Sequence, residues 1–129
     1  MKFNTAPSNN DVIKISYSTK DAVKAYTLGV RKLGTSIGGF STVIGVNNTA
    51  SGRFSIAMGS ATTASGICSF ASGISSNASS RGSTAMGNGT TASGNYSTAM
   101  GSSTTASGAF STAMGSGTTA SGSKAIAVG

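Results

Sequence analysis

The 129-residue sequence has no histidine and no glutamate, and its two aspartates, Asp11 and Asp21, both precede residue 22. General acid–base catalysis needs titratable groups held within reach of a substrate. From residue 39 onward the candidate nucleophiles are Ser, Thr and a single thiol, none with a carboxylate or imidazole beside it in sequence. The chain therefore reads as non-enzymatic, with no catalytic residues and no cofactor. Metal sites fall for the same reason: the calcium-binding nonapeptide roll needs Asp in its turns, where this chain carries Ser, Asn and Gly. Cys68 is the sole cysteine, so no disulfide framework or zinc spacing exists within one chain, and a small buried residue is its expected role. No stretch approaches the roughly twenty apolar residues of a membrane span. Met1 to Pro7 also lack the apolar run of a signal peptide. The expectation is either a fragment of a larger exported protein or a complete chain that reaches its place by another route.

Charge is scarce and unevenly placed. The net charge is +7. Lys2, Lys14, Lys20, Lys24, Arg31 and Lys32 lie before residue 39 with both aspartates, and Arg53, Arg81 and Lys124 are the only ionic side chains after it. This is not the clustered footprint of a nucleic-acid binder. A solvated basic lead-in is the expected meaning.

What the chain has in abundance is repetition. From Gly39 to Gly129 it repeats every fourteen residues without an insertion, for six turns and a final half turn. One turn runs from Asn95 to Gly108. Its seventh position is always Gly: Gly45, Gly59, Gly73, Gly87, Gly101, Gly115 and Gly129. A short fixed period marks a solenoid in which each turn packs on its neighbours. Each fourteen divides into two sevens with Ala at the centre of both, as at Ala99 and Ala106. Five residues match a short strand, and Gly with small polar residues matches a turn. The fold class is therefore all-β: a parallel β-roll with two short strands per turn, its seventh-position glycines placed in the turns. Helix is excluded by the regular Gly, by the bulk of Ser and Thr, and by the lack of a 3.6-residue apolar stripe.

Strand alternation separates two faces in the first half-turn. Ser97 and Ala99 are small and suit a narrow interior. Tyr96, Thr98 and Met100 are larger and point away. Met58, Met86, Met100 and Met114 then form an outward column, one turn apart, with Ile44 at one end and Val128 at the other. A monomer seldom leaves such a stripe in water, and an interior of Ala and Ser buries little apolar area. Oligomerisation through this sheet is the expected remedy. In the second half-turn, pairs such as Thr62-Thr63 and Thr104-Thr105 stack into ladders roughly 4.8 Å apart. Only one Thr of each pair can face outward, which weakens an ice-binding reading to a minor third alternative. The turn residues Asn88, Ser102 and Ser116 would repeat along the surface, and Ser103 is expected to tolerate substitution.

Residues 1–38 form a separate lead-in. Val12 to Tyr17 has strand character, and Asp21 to Leu33 is read as a short helix weakened by Gly29. A solenoid needs its open end covered, so capping is the first role for this segment and docking to another protein the second.

Ser-Thr-Ala-Met-Gly, and Ser-Lys-Ala-Ile-Ala-Val-Gly at residues 123–129, resemble the Ser-x-Ala-Ile-Gly motif of trimeric autotransporter adhesin heads, the YadA-like head repeat. The likeness covers residues 39–129, about seventy per cent of the chain. It implies a left-handed parallel β-roll, a homotrimer, a place on a cell surface, and an extracellular-matrix or host-surface ligand. Departures are Met in place of Ile or Val at position six in four turns, and no heptad stalk, neck or anchor in this sequence. Similar repeats occur in phage tail fibres, which makes a virion protein docked by its N-terminal segment the second reading.

Overall fold

The structure, a computed structural model, describes the backbone of residues 13–18 and 22–28 and the whole of residues 38–129. Every regular element among them is a strand. β1 (Ile13–Ser18) and β2 (Ala22–Leu28) pair antiparallel, and β2 joins β3 (Ser41–Val46) in parallel. The sheet then continues, all parallel, through strands Ile56–Ser60, Phe70–Ile74, Thr84–Asn88, Thr98–Ser102, Thr112–Ser116 and Ile126–Val128. A second parallel sheet is built from two-residue strands: Thr63–Ala64, Asn77–Ala78, Thr91–Ala92, Thr105–Ala106 and Thr119–Ala120. Paired residues are fourteen apart throughout the repeat, as in Met100 with Met114 and Ala106 with Ala120. Two strands per turn and two parallel sheets are the architecture the repeat implies.

The lead-in departs from the sequence reading in one place. The strand expected at Val12–Tyr17 is found as β1, but the helix expected from Asp21 to Leu33 is strand over Ala22–Leu28. Val23, Tyr26 and Thr27 favour strand, and the free edge of β3 supplies the hydrogen bonds that a short, Gly-bounded helix would need from itself. Val12, Asp21 and residues 29–33 of these two expectations lie outside the described residues.

The interior is one side chain thick. Every seventh residue from Ala50 to Ala120 is a buried alanine. Every seventh residue from Ser41 to Ser111 is a buried Ser, Thr or, at position 48, Asn. Ser97, Ala99, Thr104 and Ala106 are the whole inward content of one turn. A buried methyl is worth about 0.8 kcal/mol, so the roll leans on its backbone ladder more than most folds do.

Both half-turns close in the same way. A residue with φ near +60° stands at each corner, Tyr96 (φ 57°) at one and Ser103 (φ 54°) at the other. Its N–H donates to a carbonyl one turn back: Tyr96 to Arg81 and Ser103 to Asn88, each at 2.8 Å. Non-glycine residues in this left-handed region cost roughly 1–2 kcal/mol, so Ser103 is a constrained corner and not the permissive site expected from sequence.

The seventh-position glycines also sit elsewhere than expected. Gly101 lies inside strand Thr98–Ser102, not in a turn, with φ +118°. A Cβ there would overlap the carbonyl oxygen of Gly115 in the next turn. Gly108, at the end of the repeat, meets the same obstacle in the carbonyl of Gly122. At both positions successive turns touch backbone to backbone.

Two pairs of substitutions test this packing. Gly101→Val should lower the melting temperature by roughly 10 °C or more, from backbone strain of about 1–3 kcal/mol plus the overlap. Ser102→Val, at an exposed position where Val46 and Ile74 stand in other turns, should change it little. Equal shifts would refute the close-approach account. In the core, Ser55 Oγ donates to Gly52 O at 2.6 Å, whereas the buried hydroxyl of Ser97 has no partner. Ser55→Ala should therefore destabilise by about 1 kcal/mol, and Ser97→Ala should be neutral or stabilising. The reverse order in thermal melts would contradict the hydrogen-bond assignment.

Candidate binding surface

With the interior filled by small residues, the larger side chains of the repeat are left on the outside. The outer face of the long sheet carries two columns. One runs through Thr42, Ile56, Phe70, Thr84, Thr98, Thr112 and Ile126; the other through Ile44, Met58, Ser72, Met86, Met100, Met114 and Val128. The residues expected at an oligomer interface thus stand on one face of one sheet. Ile44, Met58 and Met100 are half-buried, while Met86, Met114 and Val128 are exposed. The column is not continuous, however: Ser72 interrupts it between Met58 and Met86. In that same turn Phe70 replaces the usual Thr of the neighbouring column, so apolar bulk moves one column sideways.

Gly45, Gly59, Gly73, Gly87 and Gly115 share the in-strand placement of Gly101, all with φ between +112° and +130°. They make the backbone bare beside the Met column. On the short sheet, alternation divides each Thr pair. Thr62, Thr90 and Thr104 point inward and are buried; Thr63, Thr91 and Thr105 point outward and are half-buried. Asn88, Ser102 and Ser116 end their strands in exposed positions.

Two placements differ from the sequence reading. Position two of the repeat is not part of the outward strand face. Phe54, Tyr96 and Phe110 occupy the left-handed corner instead, because the strand starts two residues later. Cys68 holds the same corner position (φ 57°) and is exposed, not buried. The period alone placed it there: it is fourteen residues from Phe54, which no interior residue can be. Among the described residues no group of three or more His, Cys, Asp or Glu side chains is placed to hold a metal ion.

The roll geometry and the outward columns agree with what comparison of the sequence finds. The family model of the YadA head domain repeat, two copies per unit, matches residues 36–62, 64–90, 78–104, 92–118 and 106–129. The chain belongs to this family. The matches that begin at residues 64, 78, 92 and 106 step by one turn of the roll, so the family's unit and the structural turn share one period. No curated protein matches the chain. YadA heads form a structural, adhesin-type family and not an enzyme family, which makes this chain an adhesin-like β-roll module. No helix among the described residues is long and apolar enough to cross a membrane.

The corner position of Cys68 gives a direct check. In the native protein its thiol should react completely with an aromatic disulfide reagent, without denaturant and at a rate close to that of the unfolded chain. Protection lifted only by unfolding would show the residue to be covered.

Proposed function

We propose that the chain is a non-catalytic, surface-exposed attachment module that works as a homotrimer, with the Met-bearing sheet as the subunit interface and a host-matrix or cell-surface ligand on the outside. The observation that carries this reading is the outer face of the long sheet. It has no charged side chain from Thr42 to Val128, and it presents Met, Ile and Phe beside bare glycine backbone. An uncharged face with this much exposed Met, Ile and Phe is a signature of association. The family to which the chain belongs is typically trimeric, and three long sheets facing one axis would cover three such faces at once. The β1–β2 pair extends the long sheet beyond β3 and serves as the terminal, non-repeat unit that ends the roll.

Attachment by such a module works through repetition. The outward Thr column of the short sheet, with Asn88, Ser102 and Ser116 at the strand ends, recurs along each roll and around the trimer. Weak single contacts then combine through avidity, and neither a metal nor a cofactor takes part.

The test removes the face without touching the interior. Met86, Met100 and Met114 together replaced by Asp put unpaired charge into the interface. Light scattering should then report a monomer, while circular dichroism keeps its strand signal. Adhesion to immobilised matrix protein should fall steeply for this variant and survive a chelator for the wild type. An unchanged trimer mass would remove the interface; full adhesion by the monomer would remove the avidity reading.

A further inference from the structure

The roll turns two corners per repeat with one backbone geometry, yet the two corners carry opposite chemistry. At the corner through Ser103 the left-handed residues are Asn, Ala, Ser or Gly, small or polar types suited to that conformation. At the corner through Tyr96 they include Phe40, Phe54, Tyr96 and Phe110, each 49–57 % exposed. Bulky residues are unfavourable at positive φ, and the first corner closes with the same hydrogen bond without them. The fold therefore does not require these rings. Strain retained where folding does not need it points to use of the surface.

The rings are also organised. Phe40 stacks on Phe54 with centroids 5.4 Å apart and planes 11° apart, and Tyr96 stacks on Phe110 at 5.4 Å and 12°. Every cation of residues 39–129 belongs to this corner. Arg53 and Arg81 immediately precede the ring position, and Lys124 occupies it. The Arg53 guanidinium carbon lies 5.1 Å from the Phe54 centroid. The opposite corner has neither charge nor ring. From Phe40 to Phe110 the ridge spans five turns, about 24 Å at the usual strand spacing.

We propose that this corner is a recognition ridge for an acidic polysaccharide, its rings taking the apolar faces of the sugars and its cations pairing with their sulfate or carboxylate groups. The proposal rests on reading the chain as an attachment module and names the ligand class of that module. A linear, repeating ligand fits a straight ridge better than a compact one does. The cations are sparse, two and three turns apart. A nucleic-acid strand is the competing ligand, since its bases also stack on exposed rings and its phosphates also pair with cations, and the oligonucleotide arm of the test separates the two. A further copy of this chain fits worse. The only acids are Asp11 and Asp21 in the lead-in, so joining copies at this corner would gather like charges without a counterion.

The test uses the full chain and keeps the fold by choosing a residue that accepts the left-handed region. Phe54→Asn, Tyr96→Asn and Phe110→Asn are combined in one variant, Arg53→Gln and Arg81→Gln in another. Binding to heparin, the sulfated probe, is measured beside neutral dextran and a single-stranded oligonucleotide. The wild type should bind heparin and not dextran. The aromatic variant should melt no lower than the wild type and bind heparin at least tenfold more weakly, although its net charge is unchanged. The arginine variant should lose affinity to a similar extent and show a flatter salt dependence. The lead-in lysines are retained in all forms and set the residual binding. Equal heparin affinity in the wild type and the aromatic variant would overturn the proposal, as would no heparin binding by the wild type. Tighter binding of the oligonucleotide would overturn it in favour of nucleic acid, and a change of mass in light scattering would make the corner a subunit contact. Matrix adhesion that persists in the aromatic variant while heparin binding fails in the wild type would sink the ridge and leave the attachment reading standing. Absence of adhesion by the wild type would sink the attachment reading itself.

Discussion

The contact of backbone with backbone between successive turns, at Gly101 over Gly115 and Gly108 over Gly122, is the constraint on which the rest of the molecule depends. A coil of fourteen residues is so short that its walls nearly meet. Only hydrogen fits at Gly101, Gly108 and most of their equivalents, Ser80 being the exception in the second column, and only Ala, Ser and Thr, with one Asn, fit as regular inward residues beyond Val43. Everything larger is displaced outward. The Met and Ile column, the corner rings and the outward Thr ladder are consequences of that narrowness, and they are the parts on which the proposed contacts with other molecules rest.

The same narrowness separates what holds a turn together from what it presents. In a wider roll, Leu and Phe would fill the centre and the surface would be free to be polar. Here the apolar residues that stabilise by burial lie on the outside, where burial needs a partner. In the proposed trimer, folding of one chain and assembly of several would be drawn from one source of free energy, as in other small chains with little core of their own. Polar groups in the interior work within this limit: Ser55 and Ser83 return their hydroxyl hydrogens to carbonyls three residues back, while Thr104 and Ser111 find no partner.

Much of this was legible in the sequence because a repeat multiplies weak signals. One Ser-x-Ala says little; a Ser, Thr or Asn followed two residues later by Ala, at every seventh residue from Asn48 to Thr118, fixes an interior column. Strand count, parallel pairing and the outward direction of Met100 followed from period and alternation. The corners did not. Alternation extended two residues before the strand placed Tyr96 with Thr98 on a flat face, and nothing local marks Tyr96 as left-handed, since an aromatic is a poor candidate for that region. Cys68 was misread through residue type, where its fourteen-residue relation to Phe54 was the better guide. The lead-in has no repeat to sum over, and Ala22–Leu28 passed for helix because the sheet edge that converts it to strand lies thirteen or more residues further on.

Near-identical turns create an indexing problem during folding. Sliding one strand past its neighbour by fourteen residues replaces Thr98 by Thr112 and Met100 by Met114, with almost no loss of fit. The exceptions to the pattern break this degeneracy. Asn48 uses its amide to donate to Ile44 O and Gly59 O and to accept from Thr62 N and Oγ1, all at 2.8 Å, a set that the Ser or Thr of another turn cannot reproduce. Gly82 leaves room for the ring of Tyr96, whose Cδ1 would lie 2.7 Å from a Cβ at that place. Read this way, the irregular turns between Asn48 and Gly82 act as fiducial marks: they give an otherwise translationally symmetric chain a single frame in which to wind.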